Sequence, residues 1–121
     1  MLDITHIVGQ ILFGGYFIWS GINHFTSHRD FTAYAASKRV TLAGIAVYIT
    51  GLLIILGGLS ILFNLYTTIG LILIAVFLIP VTIVMHAFWR SDNPGEKAAQ
   101  KIQFLKNTAL LGAALLMIYQ I

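Results

Sequence analysis

Cysteine is absent from this sequence, which excludes thiol–disulfide chemistry, thiolate metal sites and disulfide staples within the chain. Charge is scarce. Asp, Glu, Lys and Arg make up 9% of the 121 residues, against about 25% in an ordinary soluble domain, so a water-soluble fold is disfavoured. Lys and Arg are missing from the start of the chain, so the first apolar run lacks the basic segment of a cleaved leader and reads as a retained helix. No Asp or Glu lies inside a long apolar run. Membrane chemistry that needs a carboxylate therefore has no residue to use. The net charge of +3 comes from residues scattered over short polar segments, not from one basic face, and gives no sign of nucleic-acid binding.

Apolar residues are abundant, at 59% of the chain. They fall into four runs, about 4–25, 40–63, 66–89 and 102–121. About 20 residues at roughly 1.5 Å each cross the hydrocarbon of a bilayer, so each run reads as a transmembrane helix. The expected fold is all-α, one domain over residues 1–121, a four-transmembrane-helix bundle running up-down-up-down. All seven Lys and Arg lie in or beside the connections 26–39 and 90–101. The positive-inside rule makes that side cytoplasmic. The chain is then a multi-pass protein of the cytoplasmic membrane with both termini facing outward.

Small residues suggest how the spans meet. Gly14 and Gly21 share one face of the first span, and Gly44, Gly51 and Gly58 recur every seventh residue in the second, a spacing suited to close helix approach. Asn64-Leu65 leaves room only for an antiparallel hairpin. Pro80 has no N–H for the Val76 carbonyl, which predicts a bend. Asn93-Pro94-Gly95-Glu96 reads as a helix start, so the last helix is expected to begin outside the membrane near Pro94. In the first connection, Phe31 and Tyr34 are spaced to lay the aromatic side of a short helix into the headgroup region.

With that topology, polar residues converge at the cytoplasmic end. The first span brings Ser20, Asn23, His24 and His28; the third brings Thr82, His86, Trp89 and Arg90; the fourth brings Gln103, Lys106, Asn107 and Thr108. Helical spacing aligns Ser20 with His24 and His28, Thr82 with His86 and Arg90, and Gln103 with Asn107. Each residue also has a plain reading. The imidazoles suit interhelical hydrogen bonds of about 0.6 kcal/mol; Trp89 suits an interfacial anchor; Arg90, Lys101 and Lys106 suit snorkelling charges; His6 and His28 suit solvated positions. Asn107 needs a partner if it sits in lipid. The ligand-binding candidates are His24, His86, Trp89, Asn107, Asn23 and Gln103, with no catalytic or metal-ligating residue assigned. His24 and His28 with His86 have the nitrogen count of a metal site, but no intramembrane carboxylate or cysteine accompanies them, so metal and haem are disfavoured. A quinone headgroup fits better, with imidazole and amide donors at its carbonyls and Phe88 or Trp89 against its ring.

Several segments resemble the DoxX-like family of small four-helix membrane proteins. They are Gly14-Gly15-Tyr16-Phe17, Ser20-Gly21-Ile22-Asn23-His24-Phe25, Phe31-Thr32-Ala33-Tyr34, the glycine-flanked run 51–58, His86-Ala87-Phe88-Trp89 and the run 103–112. The resemblance implies a compact four-helix bundle, and some members are associated with quinone-linked oxidation of sulfur compounds or with oxidoreductase complexes that answer redox stress. Many members carry a glutamate where this chain has Ile54, so no role of that carboxylate is transferred. The leading expectation is an accessory subunit of a quinone-linked oxidoreductase system. The alternative is a structural or assembly protein that binds another membrane protein, a redox subunit or a second copy as a homo-oligomer, through its glycine faces. An autonomous enzyme or transporter is disfavoured, because no intramembrane carboxylate, cysteine or nucleotide motif is present.

Overall fold

The computed structural model describes residues 3–120. Within them the chain forms α1 (Ile4–Thr26), α2 (His28–Ser37), α3 (Ala43–Leu62), α4 (Thr67–Met85) and α5 (Pro94–Gln120), with a 3₁₀ turn at Phe88–Arg90. Among the described residues, Ala43–Leu62, Thr67–Arg90 and Pro94–Gln120 are long and apolar enough to cross a membrane. The expected first span, α1, carries Gln10, Ser20, Asn23 and His24 and is not one of these.

Helix starts follow local chemistry. The Asp3 carboxylate accepts from the Thr5 N–H at 2.9 Å. The Asn93 side-chain oxygen accepts from the Gly95 and Glu96 amides at 2.9 and 3.2 Å. Both satisfy amides that a first turn leaves free, and α5 begins at Pro94 as its sequence predicts.

Glycine decides which helices touch. α1 and α3 run in opposite directions with Gly14 against Gly58 and Gly21 against Gly51. A Cβ at Gly58 would lie 2.6 Å from the Gly14 carbonyl oxygen and 3.0 Å from the Ile18 nitrogen. These neighbours are backbone and cannot yield. α3 meets α4 in the same way, since a Cβ at Gly57 would stand 2.9 Å from the Gly70 carbonyl. The stripe Gly44, Gly51 and Gly58 is therefore spent inside the chain: α1 covers Gly51 and Gly58, and α2 lies over Gly44. The expectation that these faces receive another membrane protein is corrected on this point. Against the seam sits a core in which Phe17, Ile54, Leu71, Ile74 and Leu78 are fully buried. Ile54 is thus ordinary apolar filling in this chain.

Four local expectations change. The second span starts at Ala43 instead of 40, because Arg39 (φ 64°) and Leu42 (φ 53°) take left-handed conformations that turn the chain between α2 and α3. α2 turns Phe31 inward, against the His24 ring and the buried Ala35, Ala43 and Val47, and leaves Tyr34 alone of the pair exposed. α4 runs through Pro80 without interruption but ends at Met85. His86 (φ −119°, ψ 39°) has left the helix, so Thr82, His86 and Arg90 do not share a helical face.

Candidate functional site

A cavity of about 710 Å³ lies at the end of the bundle where α2 and the 3₁₀ turn are found. Phe17, Phe77, Leu78 and Val81 give it an apolar wall, and Asp30, Phe31 and Tyr34 of α2 border its mouth. Its polar lining includes Ser20, His24, His86, Gln103, Lys106 and Asn107. Four of the six ligand-binding candidates, His24, His86, Gln103 and Asn107, thus face one space. Asn23 and Trp89 do not line it. Trp89 is half-exposed and packs edge-on against Phe88 and Phe104, with ring centroids 5.2 and 5.6 Å away. It ties the start of α5 to the 3₁₀ turn and is not set against a cavity ligand.

His24 can sit deep in the bundle because Gly51 has no side chain, and a Cβ there would be 2.6 Å from that of His24. The His24 Nδ1–H donates to the Ser20 carbonyl at 2.8 Å, and the ring stands edge-on to Phe31 and Phe77. A carbonyl only accepts, so the proton is on Nδ1 and the neutral ring keeps a lone pair at Nε2.

His86 is fixed by a longer chain. Tyr34 donates its hydroxyl proton to the Met85 carbonyl at 3.2 Å. That hydroxyl accepts from Gln100 Nε2, which leaves Gln100 Oε1 to accept from the His86 Nδ1–H at 2.8 Å. The direction of this chain again places the proton on Nδ1 and the lone pair on Nε2. In their neutral forms both imidazoles therefore offer acceptors. This corrects the expectation of imidazole donors facing carbonyls.

The donors come from α5. Asn107 is 7% exposed and lines the cavity, yet its amide makes no hydrogen bond among the described residues. Thr82 Oγ1 is the one fully enclosed side-chain polar atom left without a partner among those residues. The unpartnered Asn107 amide and His24 Nε2 are therefore not sealed in protein; they touch the open volume. A buried amide facing a cavity costs about 1–3 kcal/mol unless something there satisfies it. Lys106, read from sequence as a topology charge, reaches across to α1, where its ammonium donates to the Tyr16 hydroxyl at 2.9 Å.

His28, expected in solvent, instead bonds the Gly44 carbonyl through Nε2 at 2.8 Å and stacks on Tyr48 at 3.7 Å. It is committed to α3, away from His24. Among the described residues no group of three or more His, Cys, Asp or Glu is placed to hold a metal ion. Gln100 was not singled out from sequence, and Tyr34 was read only as an interfacial aromatic. The signal for Gln100 was present: a helix starting at Pro94 puts residues 100, 103 and 107 on one face.

The DoxX family model matches residues 7–87, which takes in nearly all of α1 and the whole of α2 to α4. The run 103–112 lies outside the matched segment. No curated protein and no solved structure matches the chain. The match covers well over half of the sequence, and with apolar helices long enough to cross a bilayer it makes this chain a membrane protein belonging to the DoxX family.

Proposed function

We propose that this protein is an accessory subunit of a quinone-linked oxidoreductase system and that its cavity takes the polar head of a lipid-soluble quinone. In this reading α1 also crosses the membrane, as the first of four spans, the connections bearing the basic residues face the cytoplasm, and both termini face outward across the cytoplasmic membrane.

The observation that carries the proposal is the unpartnered Asn107 amide facing the same cavity as two imidazoles whose Nδ1 protons are already spent. A volume of about 710 Å³ suits a ring and the first part of its tail. A quinone supplies two-electron, two-proton redox chemistry when bound. The chain's part is to orient the head: Nε2 of His24 and His86 accept from ligand hydroxyls, and Asn107, Gln103 and Lys106 donate to ligand oxygens. Phe17 and Phe77 bound the apolar side. The two lone pairs favour the hydroxyl-bearing, reduced form.

Calorimetric titration of the protein in nanodiscs with a short-tailed benzoquinol tests this. The quinol is expected to bind saturably, and its dimethyl ether, which lacks both hydroxyls, at least tenfold more weakly. Asn107→Leu and His24→Leu should each weaken quinol binding by a similar factor. Absence of saturable binding by quinol and quinone alike would overturn the proposal, as would affinity unchanged in both variants.

A further inference from the structure

A second cleft lies outside the quinone cavity, between the end of α2 and the end of α4. It encloses about 460 Å³ and is bordered by Ser37, Lys38, Arg39, Val84, Ala87 and Arg90. Three cationic side chains face one small volume. Among the described residues the one ion pair they make is from the Lys38 ammonium to the Glu96 carboxylate at 3.9 Å, at the outer limit of such a pair. Arg39 and Arg90 form no ion pair among the described residues. Like charges gathered in this way repel each other, and an anion held between them reverses the sign of that interaction.

The backbone contributes to the gathering. Arg39 follows Lys38, the cap of α2, with φ 64°, the left-handed position that glycine usually fills after a helix. The Lys38 and Arg39 amides bond back to the Ala35 and Ala36 carbonyls at 3.0 Å each. The fold thus accepts backbone strain and still carries a guanidinium at this point. Two guanidinium groups with an ammonium are a donor set that recognises phosphate oxygens, because each planar fork can pair with two of them.

The rest of the lining indicates which phosphate. Val84 and Ala87 give the cleft an apolar side on the Thr67–Arg90 stretch, next to half-exposed Trp89, the aromatic type that favours the membrane interface. A phosphate ester attached to acyl chains can lie along that side and put its charge among the arginines. We infer that this cleft binds the headgroup phosphate of an anionic phospholipid. Basic pockets between membrane helices at their cytoplasmic ends suit such headgroups. The inference uses none of the groups assigned to the quinone and shares with that proposal only its membrane orientation.

Native mass spectrometry of the purified full chain in neutral detergent tests it, with phosphatidylglycerol and phosphatidylcholine supplied in equal amounts. Phosphatidylglycerol should be retained at least fivefold over phosphatidylcholine. Arg39→Gln combined with Arg90→Gln should remove the preference, and Arg39→Lys combined with Arg90→Lys should keep at least half of it, which separates lost charge from lost fold. Lys97→Gln with Lys101→Gln, basic positions outside the cleft, should leave it unchanged. Equal retention of both lipids would overturn the inference, and so would equal loss in the Lys97/Lys101 variant, which signifies diffuse attraction. A parallel thermal-shift titration with inorganic phosphate distinguishes the source: stabilisation as strong as that by phosphatidylglycerol would overturn the assignment to lipid.

Discussion

α1 is held on one side by glycine and on another by a lysine. Towards α3 it presents Gly14 and Gly21, and backbone meets backbone with no room for a methyl group. Towards α5 it presents Tyr16, which reaches the Lys106 ammonium beside the cavity. The burial of the helices follows the same division: 39% of the apolar stretch ending α4 is inside the protein, against 11% of that in α5. In α5 only Asn107 and Ala114 are buried. The glycine seam is a frame that tolerates no change of shape, and the α1–α5 side is where this chain keeps space.

The largest expected effect breaks the frame. Gly58→Ala should destabilise the protein by about 1–3 kcal/mol, because the added methyl meets the Gly14 carbonyl and the Ile18 amide. Reversible denaturation in mixed micelles reads this directly. The matched control is Gly112→Ala in α5, where nothing lies within 4 Å of the new atom. It should change stability by only a few tenths of a kcal/mol, or raise it through better helix propensity. Equal costs at the two positions would erase the distinction between the seams.

Thr82→Val comes next. Its enclosed hydroxyl has no partner among the described residues, so a methyl of the same shape should raise stability by about 1 kcal/mol in the same assay. A loss would mean that the hydroxyl is satisfied. An effect of similar size sharpens the cavity side. Gln100→Leu removes the acceptor that holds His86 Nδ1 and the donor to Tyr34. Stability should fall by about 0.5–1.5 kcal/mol, and quinol affinity should drop by a few-fold as the His86 ring loses its orientation.

The frame was legible in the sequence because it obeys local rules. The seven-residue glycine spacing marks a helix face whatever lies opposite it, and Asn93-Pro94-Gly95-Glu96 states a helix start in four residues. The gathering of His24, His86, Gln103 and Asn107 also followed from helix direction alone, since the connections bring those positions to one end. Orientation was not legible. A continuous helix through residues 66–89 gives His86 a face, but the chain leaves helical geometry at that residue. Nothing in the apolar pattern signals this, since Ala87-Phe88-Trp89 could equally continue a helix. The inward turn of α2 depends on the left-handed Arg39 and Leu42, positions where a sequence reader expects glycine. Trp89 and Asn23 have plausible depth but the wrong direction, and depth was all that the pattern supplied.

The bond from Lys106 to Tyr16 has a consequence for the cavity it borders. The start of α5 is pinned by the Phe88, Trp89 and Phe104 rings and by Gln100, whereas its link to α1 here is one flexible side chain on one hydroxyl. α5 stays packed on α4 through the buried Ala114, so loss of that one bond would widen the space between α1 and α5 without disturbing the glycine seam.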